Sequence, residues 1–346
     1  MAVEQVKLVL IGVGNIGRRF LELLARKEDI LRTRYGLELV LVGAGDTSGA
    51  ALAVERLDPL QVIHLKRKGQ GVAAYPLVGR PGMGTVELIQ HAQADVLLEA
   101  SPTNLRDGQP GLGCIEEALQ RGMHVVTVNK GPLVLAYSRL AKLAAEKGVR
   151  LAFSGAVAGG LPTINIGRRD LAGSEILQLE GILNLTTNYI LTQMAERDKS
   201  HAEALAEAQA EGHAEADPSL DVEGWDAANK LVILAQSVLG HSASLGDVEV
   251  EGITGIGPED LKQATARGKV IKLIAKAERE DGGYHLSVQP TWLDLCHPLA
   301  RLRAHQMGIV YYTDTNGTIT AIIDEEDPMP TAAAMLRDLI NVYCNP

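Results

Sequence analysis

The sequence is poor in cysteine, aromatic residues, long apolar runs and positive charge, and these shortages bound what the protein can be. Cysteine occurs three times in 346 residues, at Cys114, Cys296 and Cys344, far apart and with no CxxC spacing. A disulfide framework or a zinc site is therefore not expected, and a reducing, cytoplasmic setting is. No uninterrupted apolar run approaches the ~18 residues that a membrane helix needs. The opening stretch MAVEQVKLVLIGVGNIG places a Glu and a Lys ahead of its apolar run and has no cleavage pattern. It reads as a first strand, not a signal peptide. Lys and Arg number 33 against 43 acidic residues, a net charge of -10. Nucleic acid and anionic membranes both require a positive face, so neither is an expected partner.

Aromatics at 3% against 36 glycines suit an α/β protein with many tight strand-to-helix turns. The length allows two domains, each with its own core. VKLVLI (6–11) is a β-rich run ending at Gly12. A helical pattern follows from Ile16 to about Arg26, with Phe20, Leu21, Leu23 and Leu24 on its apolar face. Further strands are predicted at 38–45, 94–101, 123–129 and 149–157, and helices at 112–121 and 138–148. This alternation implies a mostly parallel, doubly wound sheet. After about residue 155 the texture changes. Residues 175–191 pass from strand into helix, and the Ala/Glu-rich segment 200–212 is a helix stopped by glycine. Residues 270–292 read as strands of a smaller, antiparallel sheet. Asn316-Gly317 joins two β-rich runs as a hairpin, and 330–343 is a closing helix with Pro330 before its first turn. The expected fold class is α/β: a Rossmann-type domain over 1–150 and a smaller α+β domain over 151–325. A final helix at about 326–346 is expected to pack back onto the first domain.

Gly12-Val13-Gly14-Asn15-Ile16-Gly17 fits G-x-G-x-x-G directly after a strand and at the start of a helix. The first glycine permits the tight turn, the second lets backbone approach a pyrophosphate, and the third allows close helix–strand packing. The helix N-terminus adds free N–H groups for the phosphates. Asp46, at the end of the second strand, is placed to accept from the adenosine ribose hydroxyls. Thr47-Ser48-Gly49 supply no arginine for a 2′-phosphate, and the nearest downstream is Arg56. NAD is therefore expected ahead of NADP.

A nicotinamide cofactor implies hydride transfer, and the hydroxyl of the donor carbon then needs a proton acceptor. Lys130 follows the strand HVVTVN, at the carboxyl edge where doubly wound sheets bind ligands. Lys230 closes an acidic stretch, EGHAEADPSLDVEGWDAANK, and lies four residues after Asp226 on a predicted helix. Taken alone, such a pair reads as an exposed salt bridge worth ~0.3–0.5 kcal/mol.

At these residues the chain resembles homoserine dehydrogenase, and the resemblance runs over nearly its whole length. GVGNIG, ASPTNLRDGQPG, HVVTVNKGPL, AVAGGLPTI, GILNLTTNYIL, AEADPSLDVEGWDAANKLVILA and PTAAAML occur in the family's order. The resemblance implies reversible NAD(P)-dependent oxidation of L-homoserine to L-aspartate 4-semialdehyde, in the biosynthesis of threonine, methionine and isoleucine. It implies Lys230 as proton donor, assisted by Asp226, with Lys130 near cofactor and substrate. Glu215, Asp221, Asp226, Thr186 and Lys130 are then substrate contacts. Ser101, Pro102 and Lys130 join Gly12, Gly14, Asn15, Ile16, Gly17 and Asp46 at the cofactor. Homoserine carries an ammonium that Glu215 and Asp226 can pair, and an ammonium from Lys130 or Lys230 can stabilise the developing alkoxide. A homodimer is implied, with the second domain serving catalysis and dimerisation, in a short form with no room for an appended regulatory domain.

The chain departs from the family pattern in places. Where many members carry a glutamate that helps bind Na+ or K+, this chain has Ser154. The carbonyls of Val157, Gly159 and Leu161 remain as candidate cation ligands. Leu185 replaces a glycine beside the substrate pocket, His213 stands where tyrosine is common, and DEEDPMP (324–330) replaces a glycine-rich loop. Two other readings stand beside the main one. A related dehydrogenase of another small hydroxy or amino acid is supported by Leu185. A non-catalytic dinucleotide sensor is opposed by the intact Lys130, Glu215, Asp226 and Lys230.

Overall fold

The structure, a computed structural model, describes residues 3–344 and divides into two units, Met1–Gly160 with Asp327–Pro346, and Leu161–Glu326. The chain begins with β1 (Glu4–Ile11), α1 (Asn15–Arg26), α2 (Glu28–Tyr35), β2 (Leu37–Asp46), β3 (Gly49–Leu52) and α3 (Pro59–Arg67). There follow β4 (Gly79–Pro81), α4 (Thr85–His91), β5 (Val96–Glu99), α5 (Gly111–Gln120), β6 (His124–Thr127), α6 (Lys130–Lys147) and β7 (Leu151–Ala152). The second unit holds α7 (Thr163–Asn165), β8 (Ile176–Ile182), α8 (Leu185–Arg197), α9 (His201–Ala210), α10 (Ser219–Val222) and α11 (Trp225–Ser237). It continues with β9 (Val248–Val250), α12 (Pro258–Ala266), β10 (Lys269–Glu280), β11 (Gly283–Asp294), β12 (Gln306–Thr313) and β13 (Thr318–Asp324). The chain then returns to the first unit as α13 (Met329–Cys344).

The first unit is built on a seven-stranded sheet in the order β4-β3-β2-β1-β5-β6-β7. The ladders β2/β1, β1/β5, β5/β6 and β6/β7 are parallel. β1 explains the architecture. Its residues are apolar on both faces, with Val6, Leu8 and Leu10 in one core and Val9 and Ile11 in another. A strand covered on both sides reads as a continuous apolar run. Phe20 and Leu21 of α1 and Met335 and Leu339 of α13 fill the first core; Ile115 and Leu119 of α5 and Leu140 of α6 fill the second. Each fully buried side chain of this kind contributes ~1.5–3 kcal/mol of transfer free energy. Strand order reverses at β1, which has β2 on one side and β5 on the other, and the crevice above such a point binds ligands.

Two details of this sheet differ from expectation, and the helix expected over 138–148 begins earlier, at Lys130. β3 and β4 extend the sheet by antiparallel pairing, although GAAL and GRP have little β propensity. Edge pairing overrides propensity there, and Pro81 sits where an edge strand tolerates it. The strand expected over 149–157 shortens to Leu151–Ala152 and gives way to a tight turn at Ser154–Ala156. The Ser154 N–H donates to Asp338 of α13 at 2.7 Å, so it is lost to the ladder.

The second unit has a six-stranded sheet, β13-β12-β8-β10-β11-β9, antiparallel except at β9/β11. Helices α8, α11 and α12 pack on β10. α8 buries polar Thr187, Asn188 and Thr192 beside Ile190 and Leu191, while α11 buries Leu231, Val232, Ile233 and Leu234 completely. That burial is what fixes the orientation of Asp226 and Lys230 on the same helix.

Candidate active site

The turn from β1 into α1 is shaped by contact. Gly12 has φ +89°, and a Cβ on it would lie 2.3 Å from the Ala100 carbonyl oxygen; one on Gly17 would lie 2.1 Å from the Gly12 oxygen. These two glycines serve the fold. Gly14 does not, because a Cβ there would meet no described heavy atom within 4 Å. Its bareness leaves room for a ligand at the N-terminus of α1, which has no side-chain cap and no acidic residue in its first turn. Asn15 and Ile16 open that helix, and Arg18 is held to it by bonds to Asn15 Oδ1 (2.7 Å) and the Gly14 carbonyl (3.2 Å). The cradle fits a dinucleotide phosphate.

Asp46 ends β2 as expected, but its carboxylate is already engaged. It accepts from Ser48 N (2.9 Å), Ser48 Oγ (2.5 Å), Lys66 Nζ (2.6 Å) and Val72 N (3.2 Å). Burial pushes its carboxyl up, but these donors, Lys66 first, hold it below the usual range. Lys66 was invisible as a partner in the sequence, being twenty residues away on α3.

At the end of β5, Glu99 is fully buried. Two donor chains converge on it. Asn129 N donates to Thr127 Oγ1 (3.0 Å), whose hydroxyl donates to Glu99 Oε2 (2.9 Å). Asn129 Nδ2 donates to Ser101 Oγ (3.2 Å), whose hydroxyl donates to Glu99 Oε1 in a very short bond; Ser101 N adds a third donor at 2.9 Å. Every proton in both chains points towards the carboxylate, so Glu99 is the terminal acceptor. Burial pushes its carboxyl up against those donors. Asn129 Oδ1 accepts from Gly131 N at 3.0 Å, capping α6, whose first residue is Lys130. Glu99 thereby ties buried Ser101 to the turn that presents Lys130, while the adjacent Pro102 is exposed.

In the second unit the acidic stretch sorts itself. Lys230 Nζ donates to Asp226 Oδ2 at 2.7 Å and to the Leu183 carbonyl at 2.5 Å. The two side chains are 12% and 11% exposed. The surface-pair reading of D-x-x-x-K therefore fails here, because the pair is largely withdrawn from solvent and removing one partner then costs more than the ~0.5 kcal/mol of an exposed pair. Asn184 Nδ2 donates to both Asp221 Oδ1 (2.6 Å) and Asp226 Oδ2 (2.7 Å), and its Oδ1 caps α8 through Thr187 N (2.8 Å). Burial, then the neighbouring Asp226 charge, push the Asp221 carboxyl up. Thr186 also contacts Asp221, and its hydroxyl donates to the His213 carbonyl at 2.7 Å.

Glu215 is exposed on the loop after α9, where Gln209 holds its backbone carbonyl at 3.0 Å. Asp217 forms a turn, accepting from Ser219 N and Oγ. Glu211 is exposed and accepts from the buried Tyr189 hydroxyl at 2.9 Å. Of the candidate cation ligands, Val157 and Gly159 lie in the first unit and Leu161 in the second, where its carbonyl already accepts from Thr163 N at 2.8 Å. Asn184, Glu99 and Asn129 were missed as site residues; all three stand inside or beside the family motifs, but nothing in the sequence distinguishes a bridging amide from an ordinary polar residue.

Comparison with known proteins agrees with these features. A family model described as homoserine dehydrogenase matches residues 162–340, and one described as homoserine dehydrogenase, NAD binding domain, matches 12–154. Homoserine dehydrogenase of Methanocaldococcus jannaschii is 39% identical over 97% of this chain and 98% of its own length. The NAD(+)-dependent homoserine dehydrogenase of Pseudomonas canavaninivorans is 36% identical over 97% and 96%. The solved structure of a hyperthermophilic archaeal homoserine dehydrogenase in complex with NADPH superposes with a TM-score of 0.84 at 26% identity, covering 98% of each chain. With a built phosphate cradle, a buried lysine–aspartate pair and matches spanning both units, this chain belongs to the homoserine dehydrogenase family.

Proposed function

We propose how this chain performs its family's reaction, the reversible NAD(P)-dependent interconversion of L-homoserine and L-aspartate 4-semialdehyde. The observation that carries the proposal is the buried Lys230–Asp226 pair. Asp226 Oδ2 and the Leu183 carbonyl hold the Lys230 ammonium in a fixed direction, and in the reducing direction its Nζ gives a proton to the aldehyde oxygen. A bound nicotinamide would supply or accept the hydride. Asp221 and Asp226, held by Asn184, offer paired negative charge to the substrate ammonium, and Glu215 reaches the substrate from its loop. Gly14, Asn15 and Ile16 would receive the pyrophosphate on the turn that Gly12 and Gly17 shape. Ser101, Pro102 and Lys130 serve the nicotinamide half, with Glu99 as the positioning residue behind Ser101 and Lys130. NAD is preferred because Asp46 puts a negative charge where a 2′-phosphate would lie. The family resemblance supports a homodimer, and three dispersed cysteines support a reducing, cytoplasmic setting. Among the described residues no helix is long and apolar enough to cross a membrane.

The test is steady-state oxidation of homoserine with NAD by wild type and Lys230→Met. Loss of an acid–base group lowers kcat by ~10²-fold or more. Turnover near wild type in a folded Lys230→Met variant would remove Lys230 from the proton step.

A further inference from the structure

The loop that follows β7 carries the residues to which the family resemblance assigns a monovalent cation, and they fit one poorly. Hard cations need oxygen ligands with free lone pairs and, usually, a carboxylate. Ser154 replaces the glutamate and is buried, and both of its donors are spent on Asp338 of α13: N–H at 2.7 Å and Oγ–H at 2.6 Å. The Leu161 carbonyl spends one of its two lone pairs on Thr163 N–H. A positive charge is already on the loop. Arg337, beside Asp338 on α13, donates from Nη1 to the Gly160 carbonyl at 3.1 Å and from Nη2 to Ser154 Oγ at 2.9 Å.

We propose that Arg337 is the resident cation of the 154–160 loop, and that this chain neither binds nor needs Na+ or K+. The exchange is complete in charge: where the pattern has a loop glutamate and a free cation, α13 supplies Asp338 and Arg337 in consecutive positions. Arginine suits the task because its guanidinium is always charged and presents its donors in a rigid fork. The loop requires such a clamp. Ala158 and Gly159 both adopt left-handed backbone, φ +56° and +57°, a conformation that Ala resists sterically. Gly155 packs tightly under the same helix, where a Cβ would lie 3.3 Å from the Thr331 carbonyl and 3.4 Å from Ala334 Cβ. Helix, arginine and aspartate thus fix both ends of the turn.

The experiment measures homoserine oxidation and thermal midpoint for wild type, Arg337→Met and Arg337→Lys in sodium, potassium or choline chloride at equal ionic strength. Titration calorimetry of wild type with NaCl and KCl runs alongside; it and the thermal midpoints need no activity, so they stand apart from the catalytic reading. Wild type is expected to show the same rate and midpoint in all three salts and no binding heat. Arg337→Met should lose roughly tenfold in rate or more, the scale of one charge-assisted hydrogen bond, with partial recovery on adding methylguanidinium. Arg337→Lys should keep most of the midpoint and remain salt-indifferent. Specific Na+ or K+ binding to wild type would overturn the proposal, as would an Arg337→Met variant with wild-type rate and midpoint. If Arg337→Met does not fold, Arg337→Lys and the wild-type titration decide the matter alone.

Discussion

Glu99 in the first unit and Asp226 in the second are both buried carboxylates, and they are kept in opposite ways. Glu99 has neutral donors around it, from Ser101, Thr127 and Asn129. Asp226 has an ammonium at 2.7 Å and an amide at 2.7 Å. A cage of neutral donors fixes orientation but has no proton to give away at neutral pH. An ion pair with lysine holds a proton that can leave. The contrast separates a group built for positioning from a pair built for chemistry. Lys272 repeats the first arrangement with the sign reversed: its buried ammonium donates to Asn188 Oδ1, Thr192 Oγ1 and the Leu302 carbonyl, and burial lowers it to about 8. It ties α8 to the sheet and lies outside the acidic cluster.

Removing the mobile proton is the most damaging break, and Lys230→Met carries the ~10²-fold loss given above. Asn184→Ser is the next. Serine caps a helix about as well as asparagine, so α8 should persist and the thermal midpoint should hold. What disappears is the amide that donates to Asp221 and Asp226 together. Asp221 is already pushed up by burial and by Asp226, and without that donor it rises further. The acid limb of the kcat/KM profile should therefore move to higher pH, with kcat/KM down about tenfold, the worth of a charged hydrogen bond. An unshifted limb would mean that Asn184 only caps α8.

How much of this was legible before the structure depended on whether the signal was local. G-x-G-x-x-G was readable because each glycine answers to a contact within one strand–turn–helix unit. The Asp226–Lys230 pair was readable as a spacing, but its burial was not, because α11 is enclosed by packing from β10 that no local pattern encodes. Asn184 reaches across 37 and 42 residues to its aspartates, and Asp338 reaches across 184 to Ser154. Such partners are set by tertiary contact. The shortness of β7 and the β3–β4 extension of the sheet escape a local reading for the same reason: long-range hydrogen bonds, not propensity, decide them.

Glu99→Gln tests the other side of the comparison. A Gln amide must place an NH2 against a hydroxyl that already spends its proton on Glu99, so one donor chain inverts and Ser101 or Asn129 loses its orientation. Cofactor affinity should fall roughly tenfold or less. Above the raised value, where Glu99 is ionised, the loss should be larger for NAD+, whose nicotinamide is cationic, than for NADH, because a buried negative charge has gone; fluorescence titration and calorimetry measure the two across pH. Equal losses would reduce Glu99 to scaffolding. Stability should respond in the opposite sense. The folded-state value of Glu99 is raised by burial, so the native state holds its proton where the unfolded chain has released it. Stability then falls as pH rises from the ordinary glutamate range through the raised value. Thermal midpoints against pH should show that slope in wild type and lose it in Glu99→Gln.

Asp46 lies between the two kinds, sharing its carboxylate between Lys66 and the neutral donors Ser48 and Val72. That mixture makes the smallest effect the sharpest test of cofactor choice. In Asp46→Ser the repelling charge is lost and the Lys66 ammonium, 25% exposed, is left without its carboxylate. A 2′-phosphate can then take that ammonium in a charge-assisted bond. The ratio of kcat/KM for NADP to that for NAD should rise about threefold to tenfold, within the ~1.5 kcal/mol lower range of such bonds, while homoserine KM stays put. Adding Lys66→Met should cancel the gain, because the phosphate then has neither a repelling aspartate nor an attracting lysine. If Asp46→Ser leaves the ratio unchanged, cofactor choice is set elsewhere in the first unit, and the Asp46–Lys66 pair only fastens α3 to the end of β2.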